Sequence, residues 1–258
     1  MKRLILTGGN VKKNSPIFKK IAKEYKGGKV LILPYASDNP LKTYFYYQEL
    51  FKKYKIDNIL SFLYPNNRER IDIKTLEKNM NESEIIFFTG GNQLKLTTLL
   101  GGTDFFDFLK NVKKDITIIG TSAGAAFLGD LMIYDGPAKN GILKGGVELT
   151  KGLGLIENVV IDTHFTERGR LLRLIQVVIT NPSLLGIGIS ENTSIFVEKD
   201  KFEVVGEKVV VVVNGIEIKR TNMPDKKPGE PFGAENIKVD ILSPGGVFDL
   251  NKREVVVL

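Results

Sequence analysis

Residues 118–126 read IIGTSAGAA: two β-branched apolar residues, then Gly120-Thr121-Ser122-Ala123-Gly124, then more small residues. The pentapeptide fits G-x-S-x-G in the context that pattern needs, with the apolar run DITIIG (115–120) as a strand before it and a helix after it. A sharp strand-to-helix turn strains the backbone at the serine, and glycines on either side let other chain segments come close. A helix starting at Ala123 turns its free N–H groups toward the serine, where they can hold a developing oxyanion. Taken by itself the pattern also suits an ordinary turn. The decision rests on whether the rest of the chain supplies a base.

Working outward, short β-branched runs alternate with amphipathic segments. Strands are expected at RLILTGG (3–9), KVLILPYAS (29–37), EIIFFTGG (84–91), ENVVIDTHF (157–165) and LLGIGIS (184–190). Helices are expected at SPIFKKIAKEY (15–25), with Ser15 as cap and Pro16 in the first turn, at LKTYFYYQELFKKY (41–54), NQLKLTTLL (92–100), DFFDFLKNV (104–112) and RGRLLRLIQVVIT (168–180). In the second of these, Tyr44, Tyr47, Leu50, Phe51 and Tyr54 form one face, a packing stripe. This alternation predicts an α/β fold with a mostly parallel central sheet covered by helices on both faces. Beyond about residue 193 the runs TSIFVEKD, KFEVVGE and KVVVVVNGIEIKR are joined by tight polar turns, which predicts C-terminal antiparallel strands. NMPDKKPGEPFGAEN (222–236) reads as an exposed loop, with KVDILSP and REVVVL as edge strands. Without repeats or a linker, residues 1–258 are expected to form one domain.

The 258 residues contain no cysteine and one histidine, His164. Disulfides, thiolate metal sites, cysteine nucleophiles and two-histidine zinc sites are excluded, and no cofactor or metal is expected. No window approaches ~20 uninterrupted apolar residues, so no membrane span is expected. The basic N-terminus carries too short an apolar run for the ~7–15 residues of a secretory signal, which points to the cytoplasm. The formal charge of +7 is spread through Lys-Lys pairs at 12–13, 19–20, 52–53, 113–114 and 226–227 rather than gathered into a stripe, so nucleic acid is not the expected partner.

A serine nucleophile needs a base, and if that base is histidine it is His164, in IDTHF at the predicted carboxyl end of a strand. The imidazole needs a carboxylate in turn. Asp162, two residues away, shares a strand face with His164 and suits substrate binding as well as orientation. Glu191, in GIGISEN at the end of the next strand, is the better candidate. The order Ser122, His164, Glu191, with a long chain after the histidine, argues against the common α/β-hydrolase arrangement. The turn FFTGGNQ (87–93) brings backbone amides of Gly91 and Asn92 to the same rim as further oxyanion donors, beside that of Ala123. Arg168, Arg170 and Arg173 lie within nine residues of His164, a density that suits carboxylate recognition.

Together, FTGGNQLKLTTLLGGT (88–103), IIGTSAGAA (118–126), GLGLIENVVIDTHFTERGRLLRL (152–174), NPSLLGIGISENTSIFVE (181–198) and ILSPGGVFDL (241–250) resemble the cyanophycinase branch of peptidase family S51, which also includes the α-aspartyl dipeptidase peptidase E. The resemblance implies a class I glutamine amidotransferase-like fold, a Ser122-His164-Glu191 triad and a homodimer. It also implies a pocket of Gln93, Asp162, Thr163, Arg168, Arg170 and Arg173 for an Asp- and Arg-rich isopeptide. There Asp162 would pair with a substrate guanidinium and the arginines with free carboxylates. The chain departs from the family pattern at Thr163, where DTHF stands for DQHF, and at GGNVK (8–12), where GGAED is usual. Asn92 stands where Asp is frequent.

Overall fold

The computed structural model describes residues 2–60, 72–112, 115–136 and 141–258. In chain order the elements are β1 (Lys2–Thr7), α1 (Pro16–Glu24), β2 (Lys29–Leu33), α2 (Pro40–Lys53), β3 (Ile59–Leu60), α3 (Ile73–Glu82), β4 (Ser83–Phe88), α4 (Gln93–Leu100) and α5 (Asp104–Asn111). Then come β5 (Ile116–Thr121), α6 (Ala123–Leu128), β6 (Gly129–Asp135), β7 (Glu148–Lys151), β8 (Ile156–Thr163), α7 (Leu171–Thr180) and β9 (Leu185–Ile189). The C-terminal part is β10 (Thr193–Glu198), β11 (Lys201–Gly206), β12 (Val210–Asn214), β13 (Arg220–Thr221), β14 (Ala234–Glu235), β15 (Lys238–Leu242), β16 (Val247–Asp249) and β17 (Glu254–Val257).

Helix starts follow local chemistry. The Ser15 hydroxyl accepts the Ile17 N–H ahead of α1, and the Asn39 side chain accepts the Lys42 N–H ahead of α2, each followed by proline in the first turn. The α2 stripe packs inward as expected: Tyr44, Leu50 and Phe51 are buried, and Tyr47 and Tyr54 lie against the same core.

The expected parallel strands occur, but in two sheets rather than one. The larger, in the order β17-β16-β11-β10-β1-β5-β4-β2-β3, is parallel from β1 to β3 and antiparallel from β10 to β17. The second, β15-β12-β9-β8-β6-β7, has a parallel centre of β6, β8 and β9. Strands β6 and β7 fall outside the sequence expectation: GDLMIYD follows α6 with no intervening loop, Gly129 being both the helix cap and the first residue of the strand. The last expected strands do lie at the edges, β15 on one sheet and β17 on the other. The expected loop at 222–236 is closed at its base by pairing of β13 with β14.

Helix α6 touches β1 and β5 of the large sheet and β6 and β8 of the small one, so it lies where the two meet. Helix α7 covers β9 and β12 with Leu174, Val177 and Val178. Register aligns the carboxyl ends. Thr7 pairs with Thr121, Phe88 with Gly120, and Thr163 with Ile189, so the segments following β1, β4, β5, β8 and β9 emerge at common rims. No helix among the described residues is long and apolar enough to cross a membrane.

Candidate active site

Ser122 sits between β5 and α6 with φ 51° and ψ −114°, a conformation that an L residue holds only under constraint. The flanking glycines are sterically required. A Cβ on Gly120 would lie 2.5 Å from the Gly124 carbonyl oxygen, and one on Gly124 would lie 2.4 Å from that of Phe88. The expected strained elbow is therefore present: Gly120 lets β5 pass against the first turn of α6, and Gly124 lets α6 lie against Phe88 of β4.

His164 follows the end of β8, also at positive φ (49°). Its Nε2 is 2.8 Å from Ser122 Oγ, and its Nδ1 is 2.7 Å from Glu191 Oε1. An ionised carboxylate only accepts, so Nδ1 carries the proton and the Nε2 lone pair faces the hydroxyl. Both side chains of the ion pair are largely withdrawn from solvent. The Glu191 carboxyl is held below the usual glutamate range, first by donation from Asn10 and then by His164. Glu167 supports the pair from below. Its Oε2 accepts the Glu191 backbone N–H at 3.1 Å and its Oε1 accepts Lys208 Nζ at 2.6 Å. Burial alone would raise the Glu167 carboxyl, but donation from Lys208, from backbone N–H groups and from the Thr166 hydroxyl outweighs it and leaves it at about 2.

The oxyanion donors need one correction. The Asn92 N–H donates to Ala36 O at 2.8 Å and is not available, while its side chain caps α4 through the Leu94 N–H. The amide of Ala123, at the first position of α6, has no intrahelical acceptor, and that of Gly91 has no backbone acceptor among the described residues.

The pocket residues divide. Asp162 is 2% exposed and Arg173 5%, and they bind each other: Arg173 Nε reaches Oδ2 at 2.7 Å and Nη2 reaches Oδ1 at 2.6 Å. Arg170 Nη1 adds a bond to Asp162 Oδ1 at 3.0 Å and another to the Thr163 carbonyl at 2.6 Å. Asp162 is therefore committed to the chain's own guanidinium groups and is not open to a substrate guanidinium. It does not orient His164 either, because the chain leaves strand geometry at His164 and the shared face is lost. Two arginines against one aspartate leave the cluster with one net positive charge. Burial lowers Arg170 to about 10, well above neutrality, so it stays cationic. Arg170 is the cap of α7 rather than a residue within it, and Arg168 lies in the exposed turn before it. Thr163 is buried, and Gln93 donates to the Ile133 carbonyl at 3.2 Å.

Asn10, Glu167 and Lys208 were not singled out from the sequence. The one available signal was TGGN, the glycine turn that closes the first expected strand. A cavity of about 730 Å³ opens elsewhere, at the opposite strand ends beside Lys2, Ile156 and Leu185. The relay geometry, not cavity size, marks the site. Among the described residues, no three His, Asp or Glu side chains cluster closely enough to hold a metal ion.

A serine on a strained turn, in hydrogen-bonded series with an imidazole and a carboxylate, defines the class: a hydrolase-type serine site on a mixed α/β fold. The model of peptidase family S51 matches residues 4–205, and the chain belongs to that family of serine peptidases. It is 33% identical over 230 residues to the cyanophycinase of Nostoc sp. (strain PCC 7120), covering 88% of this chain and 77% of that one. It is 32% identical over 223 residues to the cyanophycinase of Geminocystis herdmanii, covering 85% and 82%. In fold it matches a peptidase from an acI-B1 Actinobacterium (TM-score 0.67, 20% identity, 96% and 97% covered). It also matches a putative peptidase E from Listeria monocytogenes (TM-score 0.54, 21% identity, 80% and 98% covered).

Proposed function

We propose that this protein is a serine exopeptidase that hydrolyses cyanophycin, or a close β-aspartyl-arginine analogue, to β-Asp-Arg units. The observation that carries the reading is the unbroken series Ser122 Oγ–His164 Nε2 and His164 Nδ1–Glu191 Oε1 on the strained turn. Ser122 Oγ attacks the scissile carbonyl while His164 Nε2 takes its proton, and Glu191 stabilises the imidazolium that forms. The carbonyl oxygen, now negative, faces the backbone N–H groups of Ala123 and Gly91. His164 returns the proton to the leaving nitrogen, and water, activated by the same imidazole, cleaves the acyl-enzyme.

The substrate class is supported by the identity to the two cyanophycinases and by the charge of the wall next to the relay. The Asp162–Arg170–Arg173 cluster keeps one positive charge, and Arg168 adds another on the exposed turn. Both suit free carboxylates of the substrate. With Asp162 neutralised from within, the substrate guanidinium is bound by groups other than this aspartate. The test is to incubate purified protein with cyanophycin, with release of β-Asp-Arg as the expected result. Release of nothing from cyanophycin alongside cleavage of α-linked Asp-Leu would replace this reading with an α-aspartyl dipeptidase.

A further inference from the structure

The segment that leaves β1, Thr7-Gly8-Gly9-Asn10, touches every member of the relay. The Ser122 N–H donates to the Thr7 carbonyl at 3.0 Å, and the His164 N–H donates to the Gly8 carbonyl at 2.9 Å. The Asn192 N–H, next to Glu191, donates to the Gly9 carbonyl at 3.0 Å. Gly9 (φ +92°) lies flat against the imidazole: a Cβ there would stand 2.5 Å from His164 Cε1. Asn10 ends the series, with its Nδ2 donating to Glu191 Oε2 at 2.9 Å, the carboxylate oxygen that His164 does not use. The amide must face this way, since a carboxylate accepts and never donates. Asn10 has φ 47°, a region where asparagine is among the few side chains at ease.

Three residues from three separate strand ends are thus spaced by four consecutive residues of a fourth. We propose that residues 7–10 are the template that sets the relay's geometry, and that Asn10 is a positioning residue that fixes the rotation of the Glu191 carboxylate. The inference rests on Ser122, His164 and Glu191 being the catalytic relay. Asn10 meets neither the hydroxyl nor the imidazole and acts through Glu191 alone. With one oxygen held by Asn10 and the backbone N–H held by Glu167, the remaining oxygen has a single direction, toward His164 Nδ1. Without Asn10 the carboxylate turns more freely and is more easily protonated.

The test compares wild type with Asn10→Gly, Asn10→Asp and, as a control in the same loop, Lys12→Ala, whose side chain pairs with Glu207 instead. Glycine keeps the positive φ and removes the donor. Aspartate keeps the shape and faces carboxylate with carboxylate. The main readout is the rate at which a fluorophosphonate modifies Ser122, which does not depend on knowing the peptide substrate. The second is the low-field Nδ1–H proton resonance, unambiguous because the chain has one histidine. Losing a hydrogen bond to a charged group slows modification about tenfold in Asn10→Gly, and more in Asn10→Asp. In both the resonance moves or broadens, while Lys12→Ala matches wild type.

The acid limb of the modification rate also moves to higher pH in Asn10→Gly, since Glu191 then faces His164, Glu167 and Lys208 without its strongest donor. Folded Asn10 variants with wild-type rates and an unshifted resonance would overturn the proposal. So would a wild-type protein that the phosphonate leaves unmodified, because the relay itself would then fail. A wild type that is modified but does not cleave cyanophycin would remove only the substrate assignment, and the Asn10 results would stand.

Discussion

Asp162 shows how a residue's neighbours decide its role. In the sequence it stands two residues from His164 and looks like a ligand for a substrate cation. In the fold it is sealed beneath Arg170 and Arg173, with both oxygens occupied. A buried carboxylate that binds two guanidinium groups is a structural counter-ion, and removing it leaves two cations side by side. Asp162→Asn is therefore expected to destabilise the protein by about 3–5 kcal/mol, measured by urea unfolding, even without substrate. Unchanged stability with weakened substrate binding would return Asp162 to the ligand role. The meeting of Ser122, His164 and Glu191 in one hydrogen-bonded series was legible in the sequence for a different reason. Only one histidine exists, and both partners sit at strand ends marked by Gly-x-Ser-x-Gly and by a clear apolar run. Asn10 was not legible, because its partner lies 181 residues away and no local pattern links them.

At the scale of elements, the turn between β8 and α7 does more than carry arginines. It places Glu167 under the Glu191 backbone and pairs it with Lys208, which follows β11. In the fold the Glu167 carboxyl lies at about 2, below the ~4.3 of an unfolded glutamate. A depressed value contributes stability that is complete above the unfolded range and is lost as pH falls toward the folded one. Glu167→Gln is thus expected to be less stable than wild type at neutral pH. The gap should narrow between about pH 4 and pH 2 in thermal unfolding followed across pH. A gap of constant size would show that the ion pair is not its source. The extents of α1, α2, α4, α5 and the β-branched strands were readable because caps, prolines and apolar runs are local signals. Strand β6 was not, since Gly129 both ends α6 and begins the strand, leaving no loop to mark the change.

For the whole molecule, the difference between one sheet and two comes from α6. This six-residue helix is buried throughout and lies between the parallel centre of the large sheet and strands β6 and β8 of the small one. Alternation of strands and helices along a chain predicts parallel neighbours but does not say which sheet each strand joins. That is settled by packing between residues far apart, such as Phe127 against Phe88 with ring centroids 5.6 Å apart. Phe127, on the helix that starts directly after Ser122, is fully buried. Phe127→Ala is expected to cost about 3–5 kcal/mol in denaturant unfolding and to lower turnover, because the cavity loosens the support under Ser122. A loss below about 1 kcal/mol, the usual scale for a surface change, would mean that α6 does not join the two sheets energetically.

The central claim is that Ser122 is the nucleophile and His164 its base. Intact-mass and peptide analysis after fluorophosphonate treatment tests it most directly. One adduct per chain is expected, on Ser122, formed quickly in wild type and slowed by at least about a thousandfold in His164→Ala. An adduct on another residue, or equal labelling of Ser122 without His164, would contradict it.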